Sequence, residues 1–278
     1  MNILIVGLGT ITENIIRYIK RNPSSRVTVY SRHAPYKDEY DNIVISNSLS
    51  VCTTYKPDFI ISCVEDDSRS ISVWEELSST IDLNSVTCIE MSTLSHKYVL
   101  YWHDYIDAAG GVAVEAPFTG SKLGAEEGNL SVFLYYPPEH SEVVKIFELF
   151  SSNIYNFTNK GIPTLFKLIY NAWGAFELYG LGIFINILSD FMSDDFKNAQ
   201  EIILKDGWMA SVVSSKLDNI INDDFSNPHF KAKYMYKDLK YFFNSVEQFD
   251  SVLDYIFQEY KKYEDSYSDF SIIAKLNK

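Results

Sequence analysis

A glycine-rich turn near the start of the chain has the residue types needed to bind a dinucleotide. It follows the apolar run NILIV, opens a helical pattern from Ile11 to Arg21, and reads Gly7-Leu8-Gly9-Thr10-Ile11-Thr12. In turns of this type the first glycine permits the tight turn, and the second lets the backbone approach a pyrophosphate at the helix N-terminus. The pattern therefore predicts that residues 7–11 bind a dinucleotide. Thr12 replaces the last small residue, so we expect a slightly displaced helix.

The end of the second predicted strand indicates which dinucleotide is bound. The chain reads Tyr30-Ser31-Arg32-His33 at this point. An NAD site places Asp or Glu here to accept a hydrogen bond from the ribose 2′-hydroxyl, whereas an arginine accommodates a 2′-phosphate. Ser31 and Arg32 therefore favour NADP(H) over NAD(H) as the cofactor. The alternative is that Arg32 is a solvated loop residue.

The elements that must position these residues follow an alternating order. Strand-like runs separated by helical segments continue to about residue 157, and they read NILIV, VTVY, NIVIS, DFIISCV, VTCIEM, GVAVEA, LSVFLYY and NIYNF. This order predicts an α/β fold, with a Rossmann-type domain at residues 1–160 built on a mostly parallel sheet. Beyond Lys160-Gly161-Ile162-Pro163 only helical patterns follow, such as Phe230 to Phe249. We therefore expect an all-α domain at residues 161–278.

Composition excludes several classes of protein. The chain has 278 residues, of which 46% are hydrophobic, so it can bury a sizeable core and is not disordered. Its 24 basic and 37 acidic residues give a net charge of −13, which argues against nucleic acid or an anionic membrane as partner. The three cysteines share no C-x-x-C spacing, so neither a disulfide framework nor a metal site is indicated. With no export signal visible, we expect a cytoplasmic protein.

One segment, from Ala172 to Leu188, is apolar almost all round a helix. A transmembrane helix is one interpretation, but 17 residues interrupted by Glu177 and Asn186 only reach the bottom of the spanning range. The centre of a helical domain or of an obligate dimer also needs such a helix. We therefore expect no membrane partner and a homodimer or higher homo-oligomer.

A second motif begins at Val114 and reads VEAPFTGSKLGAEEGNLSVF. By residue type it is a strand, a turn around Thr119-Gly120-Ser121, a second glycine-bounded loop and another strand. It resembles the D-A-P-V-S-G-G-x-x-G-A-E-x-G-T-L substrate loop of the β-hydroxyacid dehydrogenase family, within the 6-phosphogluconate dehydrogenase superfamily. The residues in register are Ala116, Pro117, Gly120, Gly124, Ala125, Glu126, Gly128 and Leu130. Thr119 takes the place of the family serine and Ser121 that of the second glycine. The resemblance implies that Thr119, Gly120 and Ser121 bind a substrate carboxylate.

The resemblance extends to Lys167-Leu168-Ile169-Tyr170-Asn171, which looks like the K-L-x-x-N motif of the same family. Four residues apart on a helix, Lys167 and Asn171 share one face. The family's pattern implies that Lys167 is the catalytic acid/base, that Asn171 orients it and the substrate, and that Thr119 assists. Burial of a lysine lowers its pKa toward neutrality, which suits this role. The alternative is a structural lysine near the helix start, with its ammonium in solvent.

Three shorter stretches fit the same family. Val64 and Glu65 follow the fourth strand, where the family has a loop near the nicotinamide ribose, and Thr93 corresponds to its Ser-Thr step beside the cofactor. Lys237, in Lys237-Asp238-Leu239, resembles a family lysine that reaches toward cofactor and substrate.

The resemblance implies an NAD(P)-dependent oxidoreductase acting on CH–OH groups. It would be an NADPH-dependent reductase, or in reverse a dehydrogenase, for a small carbonyl compound or 3-hydroxy acid that carries a carboxylate. Two alternatives remain open. One is an imine reductase on the same scaffold, although such relatives commonly replace the lysine. The other is a non-catalytic NADP-binding protein.

Overall fold

The computed structural model describes residues 1–32, 43–192, 194–205, 210–246 and 251–275. Three predicted segments extend beyond these ranges: His33 after the second strand, Asn42 at the start of the run NIVIS, and residues 247–249 at the end of the helical pattern from Phe230. The strands are β1 Asn2–Val6, β2 Arg26–Tyr30, β3 Ile43–Ser46, β4 Phe59–Ser62, β5 Thr87–Glu90, β6 Val112–Glu115, β7 Phe118–Thr119, β8 Leu130–Leu134 and β9 Ser151–Asn156. The helices are α1 Thr10–Ile19, α2 Leu49–Cys52, α3 Asp67–Thr80, α4 His96–Ala108, α5 Ser121–Glu127, α6 Val144–Phe147, α7 Ile162–Phe191, α8 Phe196–Lys205, α9 Ala210–Val213, α10 Leu217–Ile221, α11 Ala232–Ser245 and α12 Ser251–Lys261.

The chain divides into two compact units, residues 1–168 and 169–278. The predicted domain boundary after residue 160 falls just before α7, the helix that crosses this division.

Six strands of the first unit form one parallel sheet in the order β3-β2-β1-β4-β5-β6. This is the doubly wound order, in which ligands bind at the carboxyl ends of the strands where the order reverses, here between β1 and β4. Along the chain, α1 lies between β1 and β2, α2 between β3 and β4, α3 between β4 and β5, and α4 between β5 and β6. The predicted Rossmann-type domain followed by a helical region is therefore confirmed.

Burial explains why these strands read as continuous apolar runs. In β1, Ile3 and Ile5 pack into one core, with α1, while Leu4 and Val6 pack into a second core on the opposite face. All four side chains are buried because the sheet is covered on both sides. The glycine-rich turn therefore leaves the sheet from a strand that is enclosed on both faces.

A second, three-stranded sheet follows, in the order β7-β8-β9. In it, β7 runs antiparallel to β8, and β8 runs parallel to β9. Between β7 and β8 the expectation of a glycine-bounded loop was wrong, because residues 121–127 form the helix α5. Its C-cap, Gly128, adopts the left-handed conformation with φ of 67°. Tyr18 of α1 donates a hydrogen bond to the carbonyl of Glu126 at 2.9 Å, so α5 is docked on α1.

The second unit has its own core, in which Ile185 of α7 packs with Leu217 and Ile220 of α10. Gly182 allows a close approach there, because an added Cβ would lie 2.5 Å from Cα of Ala274. Among the described residues, α7 is the one helix long and apolar enough to cross a membrane by length and composition. Core helices of soluble proteins meet the same description, so length and composition do not distinguish a core helix from a membrane-spanning one.

A buried ion pair also holds the second unit together. Asp269 is fully buried and accepts hydrogen bonds from Nζ of Lys216 at 3.0 and 3.1 Å. The amides of His229 and Ser271 donate to the same carboxylate at 2.8 and 3.1 Å. Burial raises the pKa of Asp269, but the charge of Lys216 and the hydrogen bonds from Ser271 lower it by more, so the pKa lies below its usual value.

We expect Asp269→Asn to lower the free energy of unfolding at pH 7 by about 3 kcal/mol, because it leaves the Lys216 ammonium buried without a counter-charge. The folded-state pKa of Asp269 is lowered, so its stabilisation is present above the unfolded pKa of about 3.9 and is lost as the pH falls through the folded value. The difference between wild type and variant should therefore shrink on acidification. Urea unfolding at pH 7 and at lower pH measures both effects. Glu201→Gln, in an exposed pair with Lys205, is the control and should change stability little. An equal loss of unfolding free energy in both variants would contradict a special role of the buried ion pair.

Candidate active site

The glycine-rich turn joins β1 to α1 with the two glycines in different roles. Gly7 has a φ of 96°, and an added Cβ would lie 2.3 Å from the carbonyl oxygen of Cys63, so only glycine fits. Gly9 is extended, and an added Cβ there would meet nothing within 4 Å. The structure thus leaves open space at the N-terminus of α1, where helix amides favour a phosphate group. Leu8, Thr10 and Ile11 complete this turn.

Thr12 does more than replace a glycine. Its side chain is buried, and its Oγ1 accepts a hydrogen bond from the amide of Gly9 at 2.8 Å and donates to the carbonyl of Gly9 at 3.0 Å. The first turn of α1 is therefore closed by its own side chain. The amide of Gly9 is engaged within the protein, so a pyrophosphate would have to rely on other amides of the turn.

Arg32 lies directly after β2, as the sequence predicts for a residue near the adenosine ribose. Its Nη2 donates to Oγ of Ser72 at 2.7 Å and to Oε2 of Glu76 at 3.1 Å, both on α3. Tyr30 donates to the other carboxylate oxygen of Glu76 at 2.7 Å. The Arg32 side chain is 37% exposed, so it is only partly enclosed by these contacts. Ser31 is half-buried beside it.

Two loops at the carboxyl ends of β4 and β5 carry the predicted ribose-side residues Val64, Glu65 and Thr93. The amide of Val64 donates to Oγ of Ser92 at 2.7 Å, which joins the two loops. Glu65 is exposed and Thr93 is half-buried. These residues therefore lie on neighbouring strand ends, as the parallel pairing of β4 with β5 requires.

Sequence reasoning missed Glu90, the residue that organises these loops. It is fully buried and accepts hydrogen bonds from the amide and hydroxyl of Ser92 at 3.0 and 2.5 Å, from Ser70 at 2.7 Å and from Nε1 of Trp74 at 2.8 Å. Burial raises the pKa of Glu90, and these hydrogen bonds oppose the rise. A carboxylate at the end of an apolar strand was the available signal.

The turn at Thr119, Gly120 and Ser121, called the 119–121 turn below, links β7 to α5. Thr119 pairs with Ser131 of β8, so its backbone is held in the small sheet. Gly120 has a φ of 122°, and Ser121 has a φ of 53° in the left-handed region. Such a conformation favours glycine, so Ser121 is strained at this position. The turn is partly exposed and carries hydroxyl and amide groups of the kind that bind a carboxylate.

Lys167 and Asn171 lie one turn apart on α7, and each is only 8% exposed. Lys167 belongs to the first unit, with the glycine-rich turn and the 119–121 turn. Near the helix start, the ring of Phe166 packs edge-on against the ring of Phe133 of β8, with 4.7 Å between the ring centroids. The lysine is therefore on a helix segment anchored to the sheet that carries Thr119.

In the second unit, Asn171 has a partner that sequence reasoning missed. Its Nδ2 donates to Oδ2 of Asp238, on α11, at 2.6 Å, and Asp238 is buried. Nζ of Lys237 lies 3.1 Å from the other carboxylate oxygen of Asp238. The motif Lys237-Asp238-Leu239 drew attention to its lysine, but the carboxylate is the residue that fixes Asn171. Across the described ranges, His, Cys, Asp and Glu nowhere cluster in a way that could hold a metal ion.

Comparisons with known proteins match this architecture. Residues 2–158 match the family model described as the NAD binding domain of 6-phosphogluconate dehydrogenase. Glyoxylate/succinic semialdehyde reductase 1 of Arabidopsis thaliana is 23% identical over 250 residues, which are 86% of this chain and 83% of that protein.

Solved structures show the same fold. The 3-hydroxyisobutyrate dehydrogenase of Mycobacterium tuberculosis, solved with L-serine, is similar with a TM-score of 0.82 and 16% identity, over 98% of this chain and 97% of that one. Psf3 in complex with NADP+ and 2-OPP is similar with a TM-score of 0.81 and 16% identity, over 98% of both chains. Imine reductases share the fold at TM-scores of 0.56 and 0.59. Because the family model covers more than half of the chain and its dinucleotide turn, the chain belongs to the family of the 6-phosphogluconate dehydrogenase NAD binding domain. Together with the relatives above, this match identifies a member of the β-hydroxyacid dehydrogenase family of NAD(P)-dependent oxidoreductases, with a nicotinamide dinucleotide as cofactor.

Proposed function

We propose that the protein is an NADPH-dependent reductase, and in reverse a dehydrogenase, for a small carbonyl compound that bears a carboxylate. The observation that carries this proposal is the nearly buried Lys167, placed in the same compact unit as the glycine-rich turn and the 119–121 turn. The nicotinamide, when bound, supplies the hydride. Lys167 gives a proton to the carbonyl oxygen of the substrate as it becomes an alkoxide, and takes it back in the reverse direction.

The remaining residues bind and orient. Hydroxyl and amide groups of Thr119, Gly120 and Ser121 hold the substrate carboxylate. Asn171 presents its carbonyl oxygen toward the ammonium or the substrate, because its amide nitrogen is already held by Asp238. In a protein with a net charge of −13, the ammonium of Lys167 offsets the repulsion of an anionic substrate.

The substrate class rests on two supports. The 119–121 turn suits a carboxylate, and glyoxylate and succinic semialdehyde, named for the Arabidopsis relative, are both carbonyl compounds with a carboxylate. The preference for NADPH rests on Arg32 and on the absence of an acid directly after β2 among the described residues. An imine reductase is the second candidate, since such enzymes share the fold, but retention of Lys167 favours a carbonyl substrate.

A substrate screen that follows NADPH oxidation tests the proposal. Glyoxylate, succinic semialdehyde, a branched 3-oxo acid whose oxo group is an aldehyde, and a five-membered cyclic imine should be assayed in parallel. We expect turnover of at least one carboxylate-bearing carbonyl and a much lower rate with the imine. Turnover confined to the imine would support the second candidate. Tight binding of NADPH without turnover of any compound would support a non-catalytic NADP-binding protein.

We also propose a homodimer or higher homo-oligomer, formed through an exposed apolar face of α7 rather than through a membrane. Trp173 and Phe184 are 58% and 66% exposed, and the other exposed apolar residues of this face are Ile169, Phe176, Ile183 and Ile187. With Gly180 included, positions 169, 173, 176, 180, 183 and 187 are three or four residues apart, which places them, and the neighbouring Phe184, along one side of the helix. Gly180 lies in the middle of this face with open space around it, so a second copy of the helix can approach closely there.

Light scattering in detergent-free buffer should return a mass of at least twice 31.9 kDa at micromolar concentration. Trp173→Glu combined with Phe184→Glu should return the monomer mass, because two charges cannot be buried at a helix crossing. Tyr101→Glu, at an equally exposed aromatic residue of α4, is the control and should leave the mass unchanged. A wild-type mass near 31.9 kDa, or a need for detergent, would contradict the proposal.

We propose that the protein works in a reducing compartment such as the cytoplasm. Cys52, Cys63 and Cys88 all lie in the described part of the chain and form no disulfide, and Cys52 and Cys88 are buried. Burial raises the pKa of Cys52 to about 11, so this thiol stays protonated and unreactive.

A further inference from the structure

Glu115 is a fully buried carboxylate at the end of β6 that no part of the proposed chemistry uses. Its Oε1 accepts a hydrogen bond from the amide of Thr164 at 2.6 Å, and its Oε2 accepts one from the amide of Gly161 at 2.7 Å. Nε2 of His103, on α4, lies 3.1 Å from the same Oε2. The two amides belong to the start of α7, where backbone donors have no acceptor within the helix. The carboxylate also meets the positive end of the helix dipole.

The place of Glu115 in the chain connects two parts of the candidate site. It precedes Thr119 by four residues, and its partner Thr164 precedes Lys167 by three. One side chain therefore joins the strand that leads into the 119–121 turn to the helical turn that leads into the lysine.

Both arms of this connection are stiff. The amide of Glu115 donates to the carbonyl of Tyr135 at 3.0 Å, and the amide of Tyr135 donates back at 2.9 Å. Phe118 and Thr119 are then paired with β8. On the other side, Thr164 and Lys167 are in one continuous helix. A shift at the hydrogen bonds of Glu115 is therefore passed on to the backbone of Lys167 rather than absorbed by a loop.

We propose that Glu115 is a positioning residue, which sets where Nζ of Lys167 lies relative to the 119–121 turn. The proposal rests on the proposed function, in which Lys167 moves the proton and the turn holds the carboxylate. A displacement of about 1 Å between such groups can cost about 10²-fold in rate. Glutamine has the same shape, but its amide nitrogen cannot accept a hydrogen bond, so Glu115→Gln loses one of the two bonds to the helix start.

The test compares Glu115→Gln, Glu115→Asp and the control Asp269→Asn, which makes the same type of change at a buried carboxylate of the second unit. The measurements are kcat and KM with the best substrate of the screen, the Kd for NADPH by calorimetry, and hydrogen exchange of the Gly161 and Thr164 amides by NMR. For Glu115→Gln we expect kcat to fall about 10–100-fold. We expect faster exchange of both amides, while the KM and the Kd change by no more than about threefold.

The other variants separate positioning from general stability. Glu115→Asp keeps the charge with a shorter reach, so it should retain more kcat than Glu115→Gln but less than wild type. Asp269→Asn should lower stability and leave kcat unchanged. If Glu115→Gln does not fold, a wild-type kcat in Glu115→Asp overturns the proposal. Faster amide exchange in Glu115→Gln with a wild-type kcat overturns it as well.

The failure of this proposal can be told apart from failure of the proposed function. If Lys167→Ala lowers kcat and Glu115→Gln does not, the positioning role alone is wrong. If neither variant lowers kcat, the role of Lys167 is wrong, and the positioning role is wrong with it.

Discussion

Lys167→Ala is expected to lower kcat about 10²–10⁴-fold while leaving the Kd for NADPH nearly unchanged. This range is the usual contribution of a positioned acid/base. In the proposed function the glycine-rich turn and Arg32 hold the cofactor, so we expect its affinity not to depend on the lysine. Binding and chemistry should therefore separate when kcat and a calorimetric titration are compared for wild type and variant.

Lys167→Arg should not restore the rate, because a guanidinium keeps its proton at any working pH and has the wrong shape for a single developing oxyanion. Lys145→Ala, at an exposed lysine of α6 in the same unit, is the matched control and should keep the wild-type kcat. A lysine with only a structural role would tolerate arginine. Similar kcat values for wild type, Lys167→Ala and Lys167→Arg would remove Lys167 from the mechanism.

The second large effect is expected at Arg32, where substitution by Asp should reverse the order of cofactor affinity. In the wild type we expect NADPH to bind at least about tenfold more tightly than NADH, because each charge-assisted contact to a 2′-phosphate contributes about 1.5–3 kcal/mol. Arg32→Asp replaces these contacts with a carboxylate that repels the phosphate and can accept from a ribose hydroxyl. Calorimetry with both cofactors, without any substrate, measures the effect.

Glu76→Gln provides a matched comparison at the ion-pair partner of Arg32. In the structure Arg32 shares its guanidinium between Glu76 and Ser72, so the carboxylate lies beside any phosphate that binds there. Removing its charge should strengthen NADPH binding and leave NADH binding nearly unchanged. Equal affinities for the two cofactors in the wild type, or a preference for NADH, would contradict the assignment of Arg32.

Local patterns in the sequence were enough for much of the fold. The parallel sheet follows from short runs such as NILIV, because a strand covered on both faces needs apolar residues at every position. The turn at Gly7 and the helix from Thr10 follow from glycine spacing, since the φ of 96° at Gly7 is available to few other residues. Lys167 and Asn171 could be placed on one helical face because residues four apart always are.

Only the tertiary structure decided which polar groups meet. Glu115 reaches the amide of Thr164, 49 residues later, and Asn171 meets Asp238, 67 residues later. Arg32 pairs with Glu76 of α3 across 44 residues. Such partners depend on strand order and on how helices pack, and no short-range period records either of them. The helix α5 was missed for the same reason, because its seven residues gain stability from docking on α1 rather than from their own pattern.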